Sequence, residues 1–382
     1  MWMEELPNGK FTYRERYKDP YTEKYKKVSI TLNSKSNQAK NKAQKMLNEK
    51  IERTLKKEKK SDHTVEELLQ EWWSFKRQTV RNNTKRNYGN ILKALEKSAE
   101  IKLEAKIAKV DAQYFQKYFN TLNFSHSQNQ KYRSVLKMAF DYAVNMEYLS
   151  DNPIDKTKIP KPPVTLENYI RVEDLYLEND EIDRLLEQYY SSYQSIRTGQ
   201  LIEFMFLTGT RVGEAISLKV CDYHKDKELL DIHGTLDYSN GYKTAEKGMT
   251  KTNASYREIG ISNRAMEILD QIIFENQLKI DDYNNDSYIF LGRTGLPIQV
   301  NTLNNSLKYN NDKLGKNKIN KRLHSHIFRH SHISLLSEIG VPLKAIMHRV
   351  GHEDESTTLN IYTHVTKKQK ADIVKKMNSL GF

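Results

Sequence analysis

Four short stretches of this 382-residue sequence combine residue types that could act together on a phosphate ester. A guanidinium is a planar, permanently charged fork that fits the non-bridging oxygens of a phosphate. A tyrosine hydroxyl has an ordinary pKa of about 10, so it needs help in losing its proton before it can attack phosphorus. The stretches are TGTRVGEA with Arg211, MTKTNASYREI with Lys251, HSHIFRHSH with His326 and Arg329, and VGHEDESTTLNIYTHV with His352 and Tyr362.

These residues must be positioned by a mixed domain in the second half of the chain. The run GQLIEFMFLTGTRVGEAISL predicts a helix that breaks at Gly209, with Arg211 at the start of the next helix. His326 and Arg329 are spaced i, i+3 and therefore share one helical face. The runs ELLDIHGTLDY, GYKTAEKG and YREIGIS predict short antiparallel strands, with Lys251 in a turn between two of them. Helices around a small sheet indicate a mainly helical α+β domain from about residue 179.

The first half of the chain divides into a small sheet with one helix and an all-helical block. KFTYRERY and KKVSITL alternate as strands do, and a basic helix is predicted from about residue 36 to residue 60. Thr64 and Glu67 have capping-box spacing and mark the start of the helical block. SDNPIDKTKIPKPPV, with four prolines in fifteen residues, predicts an extended linker. We therefore predict a multidomain protein with an N-terminal domain at 1–60, a helical domain at 61–155, a linker at 156–178 and a catalytic domain at 179–382.

Composition indicates a globular protein that binds a polyanion. The chain is 37% hydrophobic and 29% charged, and it shows neither an apolar run of roughly 18 residues nor a secretory signal, so we expect a cytoplasmic protein without membrane contact. The single cysteine, Cys221, excludes an internal disulfide framework and a cysteine-based zinc finger, and we expect it to be a buried small hydrophobe.

The net charge of +13 is unevenly distributed along the chain: residues 1–60 carry +9, residues 161–240 carry −7 and residues 241–382 carry +7. Basic segments on both sides of an acidic middle favour several separate contacts with nucleic acid.

Taken in order, the motifs resemble those of the tyrosine recombinases, the phage-integrase family. TGTRVGE matches the first arginine motif, TKT the lysine turn, HIFR the His-x-x-Arg motif, VGH the Gly-His motif and TLNIYTHV the tyrosine motif. The motifs cover about residues 180–370, whereas the earlier part is similar only in layout, an arm-binding domain followed by a helical, SAM-like core-binding domain. Val350 departs from the pattern, because the family more often has leucine before Gly-His.

The resemblance implies a role for each motif residue. Tyr362 would be the nucleophile that forms a 3′-phosphotyrosyl bond with DNA, and Arg211 and Arg329 would hold the non-bridging oxygens. His326 would act as the base, His352 would hydrogen-bond the phosphate, and Lys251 would protonate the 5′ oxygen that leaves. Glu214 would support the site. Because guanidinium groups supply the electrostatic stabilisation, no metal or other cofactor is expected, and the covalent bond removes the need for ATP.

The implied function is site-specific recombination by an integrase of a temperate phage or an integrative conjugative element. Four copies of the chain would assemble on two DNA duplexes, binding core and arm attachment sites, with an excision factor and a host DNA-bending protein as further partners. The sequence leaves three other functions open: a type IB topoisomerase, a non-catalytic DNA-binding regulator and a metal-dependent nuclease. At the residue level, Lys243 and Lys247 compete with Lys251, and Tyr242 and Tyr256 compete with Tyr362. A metal cluster is the alternative for four histidines: His324, His326, His330 and His332.

Overall fold

The computed structural model describes residues 1–19, 24–58, 62–163, 171–237, 241–249, 256–351 and 356–367. The chain forms two compact units, Met1–Pro163 and Val164–Phe382. Five of the seven predicted site residues lie in the described part of the second unit, while Lys251 and His352 lie outside the described residues.

The N-terminal sheet has three antiparallel strands in the order β1-β2-β3. β2 pairs with β3 along its whole length, from Phe11 opposite Leu32 to Lys18 opposite Tyr25. The sheet and α1 share a small core in which Ala43 and Leu47, one helical turn apart, are fully buried. The two predicted strands and the helix are confirmed, and a first strand that was not predicted precedes them. The elements are β1 (Trp2–Glu5), β2 (Phe11–Lys18), β3 (Tyr25–Leu32) and α1 (Asn37–Glu58).

Among the described residues 62–163 of the first unit, four helices pack around a second core. Thr64 caps the first of them as predicted, because its hydroxyl accepts a hydrogen bond from Glu67 N over 3.1 Å and Glu67 Oε2 accepts one from Thr64 N over 2.7 Å. Aromatic and aliphatic side chains such as Trp72, Phe115 and Phe140 fill the space between the helices. The helices are α2 (Val65–Lys76), α3 (Asn82–Glu96), α4 (Ala112–Thr121) and α5 (His126–Asn145).

In its described residues the second unit packs helices around two small antiparallel sheets, and most of the buried apolar side chains there form one core. One sheet has the strand order β4-β5-β8, and the other pairs β6 with β7. The fold class predicted from the sequence is confirmed. The helices are α6 (Asn179–Tyr190), α7 (Ile196–Thr208), α8 (Val212–Ala215), α9 (Asn263–Gln277), α10 (Val300–Lys313), α11 (His326–Glu338), α12 (Leu343–Val350) and α13, the helical residues 356–367. The strands are β4 (Tyr223–His224), β5 (Leu229–Ile232), β6 (Gly234–Asp237), β7 (Glu246–Met249) and β8 (Arg257–Gly260).

The prediction that Cys221 is buried is wrong, since its side chain is exposed. Residues 220–222 form a single tight helical turn, and within this turn Asp222, only 2% exposed, takes the inward position. Across the described ranges, no helix has both the length and the apolar character needed to cross a membrane.

Candidate active site

The turn between α7 and α8 places Arg211. As predicted, the helix breaks at Gly209, which has a left-handed φ of +69° and donates its N–H to Met205 O over 2.9 Å. Glycine adopts this conformation without the steric penalty that a Cβ brings. Thr210 is buried beside the turn, and Arg211 follows in extended backbone as the first residue before α8.

Glu214 fixes the Arg211 side chain. Its Oε1 accepts a hydrogen bond from Arg211 Nη1 over 2.7 Å, and its Oε2 accepts one from the Arg211 backbone N–H over 2.9 Å. The other end of the guanidinium, Nη2, donates to Gly351 O over 2.9 Å. With both ends of the fork held, the side chain is oriented although it stays 31% exposed. Part of the Arg211 guanidinium is thus held in a fixed orientation at the surface.

Arg329 lies beneath Arg211 and is only 1% exposed. It comes from the first turn of α11, and it donates hydrogen bonds to Gly209 O over 2.7 Å and to Val350 O. The two predicted arginines therefore converge on the same turn, 350–351, which immediately precedes His352. Burial, and then the neighbouring charge of Arg211, lowers the pKa of the Arg329 guanidinium. The site holds two cations close together, an arrangement that an anionic ligand would stabilise.

Arg257, which the sequence analysis did not single out, completes the support of Glu214. It lies on β8, is 5% exposed, and donates to Glu214 Oε1 over 3.3 Å and to Oε2 over 3.0 Å. Its Nε also donates to Arg349 O over 2.7 Å. Burial alone would raise the pKa of Glu214, but the hydrogen bonds and charge of Arg257 and the charge of Arg211 outweigh it, so the pKa is lowered. Glu214 is therefore an ionised, buried carboxylate shared by two arginines.

The signal for Arg257 was present in the sequence. In YREIGIS, Arg257 has the same alternation as the inward-facing Ile259 and Ile261, which are 3% and 6% exposed. An arginine in phase with core-facing residues requires an internal partner, because a buried charge is costly unless it is paired.

Arg349 ties α12 to the other elements of the site. Its Nε donates to His332 Nε2 over 3.0 Å, and its Nη1 donates to Gly260 O over 2.8 Å. His332 is thus an acceptor at Nε2, and burial lowers its pKa to about 3, so its ring is neutral. This histidine has a packing role between α11 and α12.

The remaining histidines of the HSHIFRHSH stretch have different surroundings. His326 is exposed at the start of α11, and its ring lies 6.4 Å from that of His324. Desolvation, then the nearby His324, Arg329 and Arg211, lowers the pKa of His326. His330 hydrogen-bonds Leu175 O through Nδ1 over 3.1 Å, and burial lowers its pKa to about 4. In the part of the chain that the structure describes, no group of three or more His, Cys, Asp or Glu residues is arranged as a metal site.

Tyr362 lies on α13 and is half-buried. Its ring packs on a third core cluster that includes Ile333 of α11 and Ile346 and Val350 of α12. The helices that carry Arg329 and precede His352 thus also support the tyrosine. Of the competing tyrosines, Tyr256 is 66% exposed and Tyr242 donates its hydroxyl proton to Pro297 O.

Lys247, one of the competitors of Lys251, is engaged elsewhere. It forms an ion pair with Asp222, and its side chain is only 10% exposed. A lysine held in this way is poorly placed to deliver a proton to DNA.

We expect Gly209→Ala to damage both folding and the site. A Cβ at this position would lie 2.4 Å from His332 Cδ2, and φ is +69°. Gly315→Ala is a matched control, because Gly315 has a φ of +57° but nothing lies within 4 Å of its added Cβ. Overpacking costs about 1–3 kcal/mol beyond the backbone strain common to both variants. The melting temperature of Gly209→Ala should therefore be lower than that of Gly315→Ala by about 2–10 °C in differential scanning fluorimetry. Equal melting temperatures would show that the Gly209–His332 contact does not constrain the turn.

Two family models match this chain. The model of the phage integrase family matches residues 176–369, and the model of the phage integrase SAM-like domain matches residues 64–159. The first contains the motif residues from Arg211 to Tyr362, and the second coincides with the four-helix block.

A curated relative and two solved structures are similar over most of the chain. The probable integrase of prophage ps2 from Lactococcus lactis is 42% identical, over 99% of both chains. The structure of the Tn1549 transposon integrase in complex with transposon right end DNA matches with a TM-score of 0.65 at 19% identity, covering 82% of this chain and 100% of that one. The lambda integrase tetramer bound to a Holliday junction matches with a TM-score of 0.57 at 18% identity, covering 92% of this chain and 96% of that one.

Proposed function

This chain belongs to the phage integrase family of tyrosine recombinases, and we propose that it integrates and excises a mobile element by cutting and rejoining DNA at specific sites. Tyr362 would attack a phosphodiester and form a 3′-phosphotyrosyl bond, which conserves the energy for rejoining. The 42% identity to a prophage integrase over nearly the full length favours a phage or prophage as the element.

The observation that carries the proposal is the convergence of two arginines on one turn. Arg211 donates to Gly351 O and Arg329 to Val350 O, so both guanidinium groups are held at the turn that precedes His352 in the sequence. Positive charge held in place before the reaction stabilises negative charge that develops on the non-bridging oxygens of phosphorus. The same pair of cations supports an anionic ligand such as a DNA phosphate.

The other site residues have matching roles in the proposal. Because the pKa of His326 is lowered, its imidazole is neutral near pH 7 and is able to accept the proton of Tyr362. His352 would hydrogen-bond the phosphate, and Lys251 would donate a proton to the 5′ oxygen. Glu214 and Arg257 hold Arg211 in place and touch no DNA in this scheme.

We further propose the division of labour among the domains. The basic sheet-and-helix unit at 1–60 would bind arm sites, and the helical domain at 61–155 and the catalytic domain at 179–382 would bind core sites on double-stranded DNA, with a linker at 156–178. The match to a lambda integrase tetramer on a Holliday junction supports a homotetramer on DNA, acting in the bacterial cytoplasm. An excision factor and a host DNA-bending protein would assist.

Covalent trapping tests the proposal. Wild-type protein is incubated with EDTA and a nicked suicide duplex that carries the element's attachment core, and the adduct is digested and mapped by mass spectrometry. We expect an EDTA-resistant adduct on the peptide that contains Tyr362. An adduct on another tyrosine would contradict the assignment of the nucleophile. No adduct on the cognate core would favour a non-catalytic regulator, and relaxation of supercoils without a defined site would favour a type IB topoisomerase.

A further inference from the structure

A polar cluster built on a buried aspartate lies outside the motif residues, at the junction of the two sheets of the second unit. It consists of Asp222, His233 and Lys247, and we call it the Asp222 cluster. His233 Nε2 lies 2.7 Å from Asp222 Oδ1, and Lys247 Nζ pairs with Asp222 Oδ2. His233 is the residue between β5 and β6, where the chain passes from one sheet to the other. The cluster therefore joins the two sheets through side chains.

The local backbone is adapted to this ion pair. In the β6–β7 ladder Gly234 lies opposite Met249 and Leu236 lies opposite Lys247. A Cβ at Gly234 would lie 2.4 Å from Lys247 Cε, so the glycine leaves room for the lysine side chain to reach Asp222. Asp222 Oδ2 also accepts a hydrogen bond from the backbone N–H of Lys219 over 2.8 Å, which fixes the carboxylate.

The cluster contacts both ends of the segment that contains Lys251. Lys247 lies on β7, four residues before Lys251. Tyr256 is the first described residue after the segment, and its ring lies 5.5 Å from the ring of His233. In the sequence, residues 250–255 stand between β7 of one sheet and β8 of the other, so the Asp222 cluster contacts the chain on both sides of them.

A buried ion pair is a costly way to stabilise a fold. Removing a lysine and an aspartate from water costs several kcal/mol per ion, and packed apolar residues often stabilise as well or better. The burial of this pair, with Asp222 at 2% exposure, is better explained by the geometry that it specifies.

We propose that Asp222, His233 and Lys247 are positioning residues that set the placement of Lys251 for leaving-group protonation. This inference rests on the proposed function. In that step the Tyr362 oxygen forms a bond to phosphorus, and the bond from phosphorus to the 5′ oxygen breaks with its electron pair on that oxygen. Lys251 supplies the proton, which leaves a 5′ hydroxyl and a neutral amine. In rejoining, the same proton returns to Lys251.

The test compares two leaving groups in single-turnover cleavage. One suicide duplex has the ordinary 5′ oxygen, and the other has a bridging sulfur in its place. A thiol has an ordinary pKa of about 8.5, far below that of an alcohol, so a thiolate leaves without a proton donor. A defect that acts only through Lys251 should therefore disappear on the sulfur duplex, whereas a structural defect should persist.

We expect Lys247→Met to slow cleavage of the oxygen duplex by about 10-fold or more, as part of the roughly 10²–10⁴-fold that a general acid contributes. On the sulfur duplex it should cleave within about twofold of wild type, as should Lys251→Ala. Lys225→Met is the matched control, because Lys225 is exposed and pairs with Asp270 over 2.9 Å outside the cluster. It should cleave both duplexes at the wild-type rate.

A second, milder variant keeps the inference testable if Lys247→Met does not fold. His233→Gln removes the imidazole ring beside Tyr256. The His233 side chain is 33% exposed, so this change should disturb folding less, and cleavage should again be rescued by sulfur. The inference is overturned if both variants are equally slow on the two duplexes, or if neither is slow on oxygen. It is also overturned if sulfur rescues Lys247→Met but not Lys251→Ala, which would make Lys247 itself the acid. Failure of the wild type on both duplexes would instead reject the proposed function.

Discussion

Replacing Tyr362 by phenylalanine is expected to abolish the covalent protein–DNA adduct and all recombination. The change removes a single oxygen, which is the proposed nucleophile. The ring would keep its packing on the cluster formed by Ile333, Ile346 and Val350, so the melting temperature and the affinity for DNA should stay close to those of wild type. The measurement is a denaturing gel of the suicide-duplex reaction, together with fluorescence anisotropy for binding.

Tyr256→Phe is the control for this variant. Tyr256 is the more exposed of the two competing tyrosines, at 66%, and the phenylalanine would keep the ring contact with His233. This control should form the adduct at the wild-type rate. An adduct that persists in Tyr362→Phe, or one that is lost in Tyr256→Phe, would assign the nucleophile to a different residue.

The arginines of the site were accessible from the sequence because their motifs also encode local structure. A glycine with positive φ ends α7, and the next turn of chain places Arg211 at the start of α8. Likewise, the i, i+3 spacing of His326 and Arg329 follows from helical geometry. The sequence did not reveal their environments. Arg329 is almost fully buried while His326, three residues earlier, is exposed, and this difference depends on which elements pack over α11.

Glu214 was predicted as a supporting residue, whereas the roles of Arg257 and Lys247 were not predicted, because their partners are distant in sequence. Arg257 meets Glu214 across 43 positions, and Lys247 meets Asp222 across 25 positions. The alternation in YREIGIS indicates that Arg257 faces inward, but the partner of each residue is identified only by the tertiary fold. The burial of Cys221 was predicted wrongly for a related reason. Its neighbour Asp222 takes the inward position of the turn, and nothing in the local sequence, including the apolar Val220, indicates this.

Substitution of Arg329 should affect activity much more than stability. We expect Arg329→Gln to slow covalent cleavage by about 10²–10³-fold, the typical loss when one preorganised donor to a developing anion is removed. DNA affinity should fall far less, because one phosphate contact among many is lost.

Two effects on the stability of Arg329→Gln oppose each other. Burial lowers the pKa of the Arg329 guanidinium, so its charge destabilises the fold; this effect is full below the folded pKa and fades as the pH rises towards the unfolded pKa, and the glutamine removes it. Against this, glutamine has one amide nitrogen in place of the two guanidinium nitrogens that bind Gly209 O and Val350 O, and a buried acceptor that loses its partner costs about 1–3 kcal/mol.

Because these two effects offset each other, the melting temperature of Arg329→Gln should remain within about 5 °C of wild type while cleavage is nearly lost. The control is Arg184→Gln, in which a half-buried arginine that pairs with Asp180 over 3.1 Å is replaced, and it should change neither quantity. The measurements are single-turnover adduct formation, anisotropy and scanning fluorimetry on the three proteins. If Arg329→Gln cleaves within tenfold of wild type, Arg329 serves only to brace the two turns that it contacts. If instead its melting temperature collapses together with cleavage, the buried charge stabilises the fold. Retained folding with lost cleavage would show that the buried guanidinium serves the phosphate of the DNA and not the stability of the fold.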